Sequence, residues 1–130
     1  MVIAMEKVKL ILPKRSEYIS TIRLTTSALS NIGGDFNIDI IEDLKVIVSE
    51  ICIFFINNIN NNDKPLEIEY LIEKNLFKVI VTDLNEGEIN KDNKTNSEMC
   101  MLIIESLSDR YEIDLENKKL SFEKNLTNIE

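Results

Sequence analysis

SEICIFFINNINNND, residues 49–63, decides how the chain folds, because its apolar core Ile51–Ile56 could be read as a strand or as part of a helix. The residues on either side favour the helix. Ile40, Ile41, Leu44, Ile47 and Val48 enter at spacings of three and four, and Ile51, Phe55 and Ile59 continue that period to the right. A helix apolar on nearly every side is a buried one. Its second half therefore belongs between a sheet and a neighbouring helix, entered from about Asn37 and left through the turn-rich asparagines of NNINNNDKP (57–65). One carboxylate, Glu50, stands in this greasy segment, with Phe54 a helical turn later.

Outward from that helix the rest is strands and two more helices. Residues 5–12 alternate as a first strand closed by Pro13, and Ser16 is placed to cap a helix from about Glu17 that carries Tyr18, Ile22, Leu29 and Ile32. Gly33-Gly34 supplies its left-handed stop. Leu66, Ile68, Tyr70 and Ile72 alternate, as do Phe77, Val79 and Val81, with Glu73-Lys74-Asn75 turning between them. LNEGEINKDNKTNS (84–97) is polar and aperiodic and reads as a loop of about 14 residues, a length usual for lids. A helix over 97–109 follows, then a hairpin of Tyr111–Asp114 and Leu120–Phe122 across Glu116-Asn117-Lys118. The order β-α-α-β-β-α-β-β predicts one α+β domain over 1–130, a two-layer sandwich with helices on one face of a mostly antiparallel sheet.

Composition narrows the function. The 130 residues carry a net charge of −8, with lysine and arginine scattered, which argues against nucleic acid as a direct partner. There is no histidine, and Cys52 and Cys100 lie in apolar stretches without metal-ligand spacing, so a zinc site, a metal centre or a histidine-based triad has no support. The N-terminus MVIAMEKVKLILP lacks the pattern of a signal peptide, and no apolar run approaches the ~18 residues of a membrane span. A cytoplasmic protein with reduced, buried thiols is expected.

IRLTTSALSNIGG (22–34) followed by IEDLKVIVSEIC (41–52) resembles the anti-sigma-factor serine kinases of Gram-positive bacteria, which share the histidine-kinase-like ATPase (GHKL, Bergerat-type) fold. The likeness is specific in the first half, and Val81-Thr82-Asp83 falls where the family puts that strand end. It implies a protein that binds a sigma factor and, with Mg-ATP, phosphorylates a serine on a STAS-type anti-anti-sigma antagonist. It also implies a homodimer built through the first strand and helix, and Arg23 as the residue that contacts the partners.

The family's ATP motifs map onto this chain unevenly. Glu50 matches the general base, but Phe54 stands where the family has the magnesium-binding asparagine, and phenylalanine has no oxygen for a hard cation. At about 100° per residue only Asn57 shares that flank. In Asp-x-Gly-x-Gly, Asp83 matches the residue that bonds the adenine amino group and Gly87 the second glycine, while Asn85 replaces the first and is expected to tolerate its backbone angles. The phosphate-binding glycines fall on Glu98-Met99-Cys100, placing a carboxylate where a triphosphate would lie. The resemblance thus implies a degenerate member: a protein-binding regulator with a vestigial pocket of Glu50, Asn57, Asp83 and Gly87, and no cofactor. The alternatives are an active Mg-ATP-dependent serine kinase using Glu50 and Asn57, or a binding module whose pocket holds another ligand.

Overall fold

The computed structural model describes residues 5–32, 37–89 and 94–125. Strand β1 (Glu6–Leu12) leads through a 3-10 turn at Ser16–Tyr18 into α1 (Ile19–Ser30), and α2 spans Ile38–Asn58. The hairpin β2 (Leu66–Glu73) and β3 (Leu76–Asp83) follows, then α3 (Lys94–Leu107) and the hairpin β4 (Arg110–Asp114) and β5 (Lys119–Asn125). The sheet has five strands in the order β1-β2-β3-β5-β4, every neighbouring pair antiparallel. The α+β sandwich expected from the sequence is the one observed.

The ambiguous stretch is helical. Asn37 caps α2, its Oδ1 accepting the Asp39 amide at 2.8 Å. Leu44, Ile47, Val48, Ile51, Cys52, Phe54 and Phe55 are all buried, because α2 runs between α1 and α3 over β3. The sheet presents Ile68, Tyr70, Ile72, Phe77, Val79, Val81, Leu120 and Phe122 to it. Tyr70 satisfies its buried hydroxyl against Thr26 of α1 at 2.8 Å, so the two layers share a polar tie as well as apolar area. On the opposite face of the sheet, Lys7–Glu69 (2.8 Å) and Lys9–Glu67 (3.0 Å) cover the strands with exposed ion pairs. Lys7's hydrogen bond and charge hold Glu69 below the usual carboxylate range.

The element boundaries depart from the sequence reading in two places. Ser16 does not cap α1: its hydroxyl bonds Glu17 at 3.2 Å, the chain first makes a 3-10 turn, and the residue before α1, Tyr18, offers no side-chain cap. The helix expected from residue 97 begins at Lys94, taking the last residues of the presumed loop. Lys-Thr-Asn-Ser is polar enough to read as loop, yet it forms the first turn of a helix whose apolar residues come later. Gly33-Gly34 lies outside the described residues.

Candidate functional site

The candidate site lies at the C-terminal half of α2, the end of β3 and the chain leaving it. On α2, Glu50 is half-buried and faces α3, where its charge adds to burial in raising the Cys100 thiol. One turn on, Phe54 is 2% exposed and packs edge to face on Phe55, ring centroids 5.5 Å apart. It is a core side chain with no lone pair to offer. Asn57 is exposed, whereas Asn58 is fully buried, donating from Nδ2 to the Phe54 carbonyl at 2.8 Å with its Oδ1 facing no donor. No group of three or more acidic or cysteine side chains among the described residues could hold a metal ion.

Asp83 is the centre of a closed polar cluster. Its side chain is wholly buried, and Oδ2 lies 2.8 Å from the ammonium of Lys14, which is itself 4% exposed. That ammonium donates its hydrogen bonds to the carbonyls of Ile59 (2.7 Å) and Asn61 (2.8 Å), and holds Asp83 Oδ2, which accepts no hydrogen bond, by charge. Asp83 Oδ1 accepts from the Asn85 amide at 2.9 Å and from Asn85 Nδ2 at 2.7 Å. The Asn85 carboxamide in turn bonds both the amide (2.6 Å) and the carbonyl (2.7 Å) of Lys64. This network joins the β1–α1 connection, the exit from α2, the start of β2 and the end of β3. A buried charge is tolerated only when paired and hydrogen-bonded in this way.

Asn85 therefore stands at the first glycine position for its side chain, not for its backbone, which has no positive φ. Gly87 does require glycine: its φ is +124°, while an added Cβ would meet only the Ile59 side chain, at 3.8 Å. Lys14 was not legible as a site residue. A lysine following Pro13 reads as a surface cation, and nothing local signals that Asp83 meets it.

The remaining candidates are dispersed. Glu98 and Cys100 lie inside α3 rather than at its start; Glu98 is exposed beside Ile113 and Leu115, and Cys100 is buried. The helix expected from residue 97 begins at Lys94, so the Glu98 carboxylate sits past its first turn. Arg23 is exposed on α1 and makes no hydrogen bond or ion pair among the described residues.

Cys52 and Cys100 are both free and buried. Burial pushes each thiol up to about 12, with the neighbouring Cys100 adding at Cys52 and Glu50 adding at Cys100. In the unfolded chain a thiol titrates near ~8.5. Above that pH the unfolded state sheds protons that the folded state keeps, so stability falls as pH rises toward about 12. The loss is up to about 1.4 kcal/mol per pH unit per thiol. Urea midpoints at pH 8 and pH 10 should differ accordingly, and the double Cys52→Ala, Cys100→Ala variant should lose most of the difference. Neither thiol should react with a disulfide reagent until the chain unfolds.

No family model matches the chain. It is similar to serine-protein kinase RsbW of Halalkalibacterium halodurans, 28% identical over 82 residues, which are 63% of this chain and 50% of that protein. It is 32% identical over 79 residues to serine-protein kinase RsbW of Bacillus thuringiensis and of Bacillus cereus, covering 60% of this chain and 49% of each relative. The chain thus spans about half the length of the curated relatives it matches. These relatives bear out the resemblance to the anti-sigma-factor serine kinases and, with the observed sandwich, the histidine-kinase-like ATPase fold.

Proposed function

We propose that this chain is an anti-sigma-type regulator that works by binding protein partners in the cytoplasm and has lost Mg-ATP chemistry. The partners implied are a sigma factor, a STAS-type antagonist, or both, met through the α1 face that carries Arg23. A guanidinium with no ion pair among the described residues suits that contact, since it can offer a carboxylate two parallel bonds. A homodimer through β1 and α1 belongs to the same reading.

The observation that carries the loss of chemistry is the ion pair of Lys14 with Asp83. In the resembling family that carboxylate receives the adenine amino group. Here one of its oxygens faces an internal ammonium and the other accepts from Asn85. A nucleotide would have to displace a buried cation and strand it. Phe54 supports the same conclusion at the metal end, where an oxygen ligand is needed. The residues present do not fit Mg-ATP. Glu50, Asn57 and Gly87 then remain as vestiges of the pocket.

Calorimetric titration with Mg-ATP tests the proposal. No heat of binding is expected up to millimolar nucleotide. Micromolar binding together with phosphate transfer to a serine of an antagonist protein would overturn it in favour of a working kinase.

A further inference from the structure

The helical layer ends at α3, but the sheet continues to its edge strand β4. Between them lies a groove of about 570 Å³ lined by Glu98, Met101, Leu102 and Glu105 of α3 and by Ile113 and Leu115 of the last hairpin. Leu102 is 58% exposed and Leu115 40%. The helical period explains the pattern. α3 turns Cys100 and Ile104 into the core, and at about 100° per residue this brings 98, 101, 102 and 105 out on the far flank. The result is an apolar pair bracketed by carboxylates about two turns apart. Glu105 is held in place by the Tyr111 hydroxyl, which donates to Oε1 at 3.1 Å. Among the described residues the lining is apolar or anionic.

We propose that this groove docks a cationic amphipathic helix of a protein partner. Apolar side chains at i+3 and i+4 would sit on Met101, Leu102, Ile113 and Leu115. Lysine or arginine at i and i+7 would meet Glu98 and Glu105, the helix-in-groove mode with charged brackets. Charge selects this occupant. A second copy related by a twofold axis would set Glu98 and Glu105 against their own equivalents, and desolvated like charges oppose that pairing. An anionic lipid surface meets the same repulsion. The site uses α3 and β4 rather than the helix of Arg23, so it stands or falls separately from the regulatory reading.

The probe is a synthetic peptide with Leu-Leu pairs bracketed by lysines at seven-residue spacing on an alanine background. Its control carries glutamate for every lysine. Titrated into the isotope-labelled full chain, the lysine peptide should shift amide signals of residues 98–107 and 111–116 and leave the rest of the spectrum in place. Its binding should weaken with salt. The double variant Glu98→Lys, Glu105→Lys should bind it at least about tenfold more weakly. Leu102→Glu, an exposed position whose spectrum reports that the fold is kept, should lose binding as well. The proposal is overturned if the lysine peptide leaves the groove signals unmoved at millimolar concentration, or if the glutamate peptide binds equally. It is also overturned if the groove signals move with the chain's own concentration and Leu102→Glu stops them, since a second copy then fills the site.

Discussion

Replacing Lys14 with methionine lowers stability by about 3–5 kcal/mol, a cost set by the partner left behind rather than by the lysine itself. Methionine restores most of the apolar stem, so packing changes little. What it removes is the ammonium 2.8 Å from Asp83, whose side chain has no exposure to water. Asn85 still donates to Oδ1, but Oδ2, which accepts no hydrogen bond, loses the only charge that faces it among the described residues. The carbonyls of Ile59 and Asn61 lose their bonds as well, loosening the exit of α2. For a domain of this size each kcal/mol lowers the melting midpoint by roughly 3–5 °C, so a drop of roughly 9–25 °C is expected.

The double variant Lys14→Met, Asp83→Asn separates a pair from a lone charge. Removing both charges should recover most of the loss, because a neutral amide at position 83 can keep the Asn85 bond without an unpaired charge. Chemical denaturation of the wild type, the two single variants and the double variant closes the cycle. If Lys14→Met lies within about 0.5 kcal/mol of the wild type, the ion pair does not hold this corner together.

How much of this was visible beforehand follows from the range of each interaction. The helical period through Ile40, Leu44, Ile47, Ile51 and Phe55 and the alternation of Leu66, Ile68, Tyr70 and Ile72 repeat over short spans. One buried face dictates each pattern, so elements and layer order could be read directly. Phe54 was also legible, since its incompatibility with a metal is a matter of residue type. The start of α3 was not, because Lys94–Ser97 carries no apolar period. Lys14 was invisible for a different reason. Its burial depends on carbonyls at the end of α2 and a carboxylate at the end of β3, which tertiary folding brings together and no local pattern records. Asn85 was read through its backbone tolerance, when its use is the side-chain bridge from Asp83 to Lys64.

Phe54→Asn, which writes the family's magnesium-binding residue into α2, should destabilise the chain by about 4–8 kcal/mol and restore no nucleotide binding. Truncating a buried phenylalanine costs about 3–5 kcal/mol through lost transfer energy and the cavity left beside Phe55. An amide placed there adds a further penalty of about 1–3 kcal/mol, since its oxygen and nitrogen enter an apolar wall with few partners. The one polar neighbour already known, Asn58, spends its Nδ2 on the Phe54 carbonyl and has only an acceptor to spare. Asn58 Oδ1 could take a proton from the new amide, and that contact sets the lower end of the range. Binding would still fail at the other end of the pocket, where Lys14 pairs with Asp83 whatever stands at position 54. Thermal unfolding with and without Mg-ATP reads both halves at once. A variant that melts near the wild-type midpoint would show that Phe54 is not part of the core in solution. A variant whose midpoint rises with nucleotide would show that a single side chain, and not the closed cluster around Asp83, keeps Mg-ATP out.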